Sequence, residues 1–112
     1  MSDTYEIKLK VELDDKKVPT ALSWEASAQT EGAQDIKAFM LALFDTNSRD
    51  TLKIDLWTQD MQIMEMDRFF YQTLRSMCDT YRTATKNEAL AGDMDQFIQH
   101  FGAQTGIIPG EV

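Results

Sequence analysis

A chain of 112 residues and 12.8 kDa, with 43% hydrophobic and 27% charged residues, has enough apolar side chains for one core, and this composition excludes wholesale disorder. Its 11 basic and 19 acidic residues give a net charge of −8, so the molecule repels phosphate backbones and anionic lipid, which makes nucleic acid and membrane surfaces poor partners. Residues 1–112 are therefore expected to form a single domain with no direct membrane insertion.

The N-terminal MSDTYEIKLKVELDDKK alternates charge where an export signal needs an apolar run, and no window is long enough to span a bilayer. The single cysteine, Cys78, cannot form an internal disulfide, which fits a reducing compartment. A cytoplasmic location is expected.

Tyr5, Ile7, Leu9, Val11 and Leu13 alternate with Glu6, Lys8, Lys10 and Glu12, the pattern of a half-buried strand. Asp14-Asp15-Lys16-Lys17 supplies a turn, and Val18-Pro19 restarts an extended chain because proline disfavours helix in the residue before it. Leu22 and Trp24 mark a second strand, antiparallel to the first, with Pro19 near its start or on an edge. Small and polar residues from Ala26 to Gly32 form a linker. Ile36, Phe39, Met40, Leu43 and Phe44 then recur at spacings of three and four, which predicts a helix.

After a polar loop from Asp45 to Asp50, Leu52, Ile54 and Leu56 alternate with Lys53, Asp55 and Trp57 in a third strand. Thr58 or Asp60 is placed to cap a long helix from about Met64 to about Thr85. At roughly 100° per residue, its apolar residues, from Met66 and Phe69 through Leu74 and Cys78 to Ala84, fill an arc of roughly 180°, with Tyr71 just past its edge. Such an arc is too wide for one neighbour. Asn87 caps a last helix carrying Leu90, Met94, Phe97, Ile98 and Phe101, which stops around Gly102 or Gly106.

The predicted order is β-β-α-β-α-α in the α+β class. The expected architecture is a two-layer sandwich: a three-stranded, mainly antiparallel sheet in the order 2-1-3, with the helices on one face.

Groups able to carry chemistry are sparse. His100 is the only histidine and lies on the flank of the last helix, which rules out a His-rich metal site; a surface role is expected. Cys78 falls within the apolar arc, where burial blunts a thiol, and is read as a core residue. The acidic residues do not reproduce a calcium loop, and Gly102-Ala103-Gln104-Thr105-Gly106 follows a helix and lacks the lysine of a phosphate cradle. No catalytic residue, cofactor or metal is therefore expected.

What stands out instead is apolar surface. Alternation puts Trp57 on the charged face of its strand, beside Met61, Ile63 and Met64, which have no core position to fill. Either the segment from 59 to 64 covers Trp57, or the group is a contact surface. Tyr71, at the edge of the wide helical arc, is the other candidate for an interface.

The run Ile54-Asp55-Leu56-Trp57-Thr58, then Met61, Glu65-Met66, Phe69-Phe70-Tyr71-Gln72-Thr73-Leu74, Met77, Asp79-Thr80-Tyr81 and Ala84-Thr85 resembles the GldC family of gliding motility proteins of Bacteroidetes-type bacteria. The similarity extends to the N-terminal EIKLKVELDDKKVP and to DMDQFIQHFG near the end, nearly the whole chain. The resemblance implies a small cytoplasmic, non-enzymatic accessory to gliding motility, in a lineage where motility is tied to type IX secretion. It brings no catalytic residues.

Three functions follow in order. The first is an interaction protein that docks on a motility or secretion component through Trp57, Met61 and Ile63, with Tyr71 as a further contact and with self-association through the long helix. The second is a holdase-like chaperone for exported polypeptides. A small-ligand binder or enzyme comes last, for want of convergent acids.

Overall fold

The computed structural model describes residues 3–28 and 31–109. Its elements run β1 (Ile7–Leu13), β2 (Pro19–Ala26), β3 (Gln34–Ile36), β4 (Ala38–Phe44), β5 (Thr51–Trp57), α1 (Ile63–Thr85) and α2 (Glu88–Thr105). The α+β class is borne out. The chain divides into two compact units, Met1–Met61 and Gln62–Val112, which are described separately.

In the first unit, β1 and β2 form the expected antiparallel hairpin. Asp14 sets its turn: its carboxylate accepts the Lys16 and Val18 amide protons (2.8 and 3.0 Å), and Lys17 takes a left-handed φ of 65°. Pro19 opens β2 opposite Leu13, where a bulge interrupts the register and no ladder donor is needed. β3 pairs with the other edge of β2, so Val11, Leu22 and Ile36 lie side by side on one face. Leu22, in the middle, is 2% exposed.

The predicted helix over Ile36–Phe44 is instead strand, and this corrects the order β-β-α-β-α-α. Positions 38–44 read AFMLALF, apolar almost throughout, so a three-and-four spacing can be picked out of a run that has no real period. Pairing decides the outcome. β4 and β5 form an antiparallel hairpin that sets Phe39 against Leu56, Leu41 against Ile54 and Leu43 against Leu52. The loop between them is a built turn: Asp45 accepts the Asn47 and Ser48 amide protons (3.0 and 2.8 Å), and Arg49 adopts φ 58°. With a strand in place of the helix, no crossover connection is required. The third predicted strand, β5, takes β4 as its partner, and the three-stranded sheet runs β1-β2-β3.

The second unit is a helical pair. α1 starts one residue before the expected Met64 and ends at the expected Thr85. Its N-cap is Gln62, two residues beyond Asp60; the Gln62 amide donates to the Glu65 carboxylate at 3.0 Å. Lys86 ends the helix in a left-handed conformation, φ 61°, and the Asn87 side chain then caps α2 by accepting the Leu90 amide proton at 3.0 Å. Gly106, φ 77°, closes α2. Tyr71 and Cys78 of α1 pack with Ala91 and Ile98 of α2. Small Ala91 and Gly102 at the crossing let the helices approach, and Ile107 and Ile108 fold back as their amides donate to the Gly102 carbonyl (3.0 and 3.2 Å).

Candidate functional site

Polar groups in the second unit converge on the helix junction. The Arg82 guanidinium donates to Asp95 (2.7 Å) and Glu88 (3.0 Å) and lies 3.6 Å from Asp79. These hydrogen bonds raise its pKa still further, so its charge is permanent. The same contact with Arg82, followed by one with Cys78, holds the Asp95 carboxyl below its ordinary value. Cys78 is fully buried, with its thiol 3.3 Å from both the Ala91 carbonyl and the Asp95 carboxylate. Burial and the neighbouring carboxylate push the thiol up, away from the reactive thiolate. The cluster clamps two helices together and presents neither a nucleophile nor an open coordination site.

His100 is exposed on α2. Among the described residues, no three His, Cys, Asp or Glu side chains stand together in a way that could hold a metal ion. Also among them, no helix is long and apolar enough to cross a membrane.

The sequence-derived interface residues fall in different places. Trp57, paired with Ala38 at the end of β5, is 52% exposed. Met61 is partly buried, its amide donating to the Thr58 carbonyl at 3.1 Å. Ile63 opens α1 with 82% of its surface exposed. Tyr71 is a correction. At 6% exposure it belongs to the α1–α2 core, because the edge of the arc on which it lies is the edge that meets α2. Trp57 and Met61 belong to the first unit and Ile63 and Tyr71 to the second.

Two further apolar surfaces are present, of which only the one on the long helix was expected from the sequence. On the β4–β5 hairpin, Phe39, Leu41, Leu43, Leu52, Ile54 and Leu56 share one face, and Leu43, Leu52 and Ile54 are exposed on it. The signal was the unbroken apolar run of β4, which reads as a strand apolar on both faces. Between α1 and α2, a groove of about 690 Å³ is lined mainly by α1, from Phe69 through Met77 and Tyr81 to Ala84, with Met94 of α2 on its other side. Its α1 lining borders the part of the apolar arc that packs on α2, and Met94 closes one side. The spread of that arc implied a second partner, although hydroxyl-bearing residues within it made the face look less apolar than it is.

A family model described as gliding motility-associated protein GldC-like matches residues 19–107. No curated protein and no solved structure matches the chain. The match covers most of the sequence, from the start of β2 to the residue after Gly106, and the chain belongs to the GldC-like family of gliding motility-associated proteins.

Proposed function

We propose that this chain is a non-enzymatic, cytoplasmic accessory protein of gliding motility that works by protein–protein contact with components of the motility or type IX secretion machinery, and that it self-associates as a dimer. One observation carries the reading: large apolar side chains that a lone soluble protein would hide are exposed, Ile63 and Trp57 among them. Tryptophan is also the residue most enriched at energetically dominant positions of interfaces. Cys78, Arg82 and Asp95 are occupied in joining α1 to α2, and family membership supplies the setting.

Trp57→Ala removes that contact without touching a core position. The variant is expected to keep the wild-type circular dichroism spectrum while recovering at least about tenfold less of the motility or secretion component that co-purifies with the wild-type chain from native cells. Equal recovery by the two proteins would eliminate Trp57 as the docking residue. The exposed apolar face of the β4–β5 hairpin favours a second reading, a holdase-like chaperone for exported polypeptides. Suppression of aggregation of several unrelated unfolded proteins, equal in wild type and Trp57→Ala, would support that reading over selective docking.

A further inference from the structure

We infer that the free edge of β5 pairs with β5 of a second copy of this chain, antiparallel about a twofold axis at Ile54. The inference rests on the dimer reading above and gives it a location in the first unit, not on the long helix.

Hydrogen-bond phase leaves one side of β5 open. The Thr58 amide donates to the Lys37 carbonyl (2.8 Å) and the Asp45 amide to the Asp50 carbonyl (2.9 Å); between these two closures the register sets Phe39 against Leu56, Leu41 against Ile54 and Leu43 against Leu52. Antiparallel pairs alternate between those that exchange backbone hydrogen bonds and those that do not. Leu52, Ile54 and Leu56 therefore direct their N–H and C=O groups at β4, while Thr51, Lys53, Asp55 and Trp57 turn theirs away from it. Among the described residues this sheet has two strands, so the outward row meets no third one, and all four residues are exposed. The row ends at Gln59, whose amide donates to the Pro19 carbonyl at 3.2 Å. An open strand edge is a template for another strand, and a two-stranded ribbon is marginal by itself.

The order of side chains along β5 selects the occupant. A twofold antiparallel pair avoids like-charge contact when the charges are antisymmetric about its axis, and TLKIDLW has that pattern about Ile54. Lys53 falls opposite the second copy's Asp55, and Asp55 opposite its Lys53. On the other face Leu52 meets Leu56 and Ile54 meets itself, while Thr51 stands opposite Trp57. Sliding the register by two residues, the smallest shift that keeps each face intact, sets Lys53 against Lys53 or Asp55 against Asp55. An in-register parallel pair sets both against themselves. β1 also has a free edge, but its Glu6, Lys8, Lys10 and Glu12 are symmetric about Leu9, so the corresponding centred pair sets like on like. β4 carries no charge to choose a register. On β5 the charges choose the register, and the ladder hydrogen bonds with the apolar flank of Leu52, Ile54 and Leu56 hold the pair.

The test combines mass, charge exchange and a crosslink. Wild-type protein at micromolar concentration is expected to sediment as a dimer. Lys53→Glu sets acid against acid at both symmetric positions and Asp55→Lys sets cation against cation, so each variant alone is expected to show a dissociation constant at least about tenfold higher. Mixed in equal amounts, the two variants are expected to form a heterodimer, because residue 53 of one then meets residue 55 of the other with opposite charge at both places. The Lys53–Asp55 pair within each strand stays broken in that mixture, so recovery of the pair within one chain cannot produce the result. Under mild oxidation, Ile54→Cys is expected to give a covalent dimer, since the pair on the axis lies within disulfide reach. Thr51→Cys is expected to stay uncrosslinked, its two copies being about 20 Å apart along the strands. A wild-type protein that sediments only as a monomer would overturn the dimer reading and the strand pairing together. A wild-type dimer with no heterodimer from the mixed variants and no Ile54→Cys crosslink would overturn the pairing and leave the dimer reading standing. Crosslinking of Thr51→Cys with itself would reject the antiparallel register. Should either charge variant fail to fold, the two cysteine variants still decide the geometry.

Discussion

A Cβ added at position 102 would come within 2.7 Å of Tyr71 Cε1 and 2.9 Å of Ile108 Cγ1. Neither neighbour can retreat freely, since Tyr71 is sealed into the helix junction and Ile108 belongs to the segment folded back over it. Gly102→Ala therefore overpacks the core and is expected to destabilise the protein by about 1–3 kcal/mol. Gly92 stands in the same helix with nothing within 4 Å of its would-be Cβ, so Gly92→Ala gains helix propensity, about 0.5–1 kcal/mol, and no clash. Opposite signs for the two substitutions in urea unfolding check the account. Equal shifts would mean that the Tyr71–Gly102 contact does not govern the junction.

At the scale of elements, α1 and α2 are held by the Arg82 cluster as well as by their apolar core, and that cluster titrates. The contact with Arg82, then the hydrogen bond from Cys78, lowers the Asp95 carboxyl in the folded state. The stability it contributes is fully present above the ordinary carboxylate pKa of about 3.9 and is lost as pH falls through the lower folded value. Wild type is thus expected to lose more stability than Asp95→Asn between pH 6 and pH 3, measured as the change in urea midpoint; equal losses would remove Asp95 from the acid limb. The helical half was legible in the sequence for the same local reasons. A cap at Asn87, a left-handed end at Gly106 and a wide apolar arc are signals written within one element. The sheet half was less so, because β4 is apolar at every position and its identity depends on register with β5, a pairing no short window contains. Tyr71 was misplaced for a related reason: the breadth of an arc shows that two partners exist but not which edge each one takes.

For the whole molecule, the net charge of −8 acts on every encounter, and it separates the two kinds of contact proposed. Two copies meeting through apolar surface repel at long range and attract only at short range. Raising the salt concentration shortens the Debye length from about 30 Å at 0.01 M to about 10 Å at 0.1 M and removes the repulsion while leaving apolar contact intact. Self-association is therefore expected to strengthen over that range in sedimentation equilibrium. A basic partner held by the acidic surface would behave in the opposite way, its affinity falling as counterions screen the attraction. The exposed indole of Trp57 lies on the face of β5 that also carries Lys53 and Asp55, paired with each other, so docking there adds little net charge to the contact. Its salt dependence should be shallow. Dimerisation that weakens with salt would show that charge pairing, and not apolar contact, holds the two copies together.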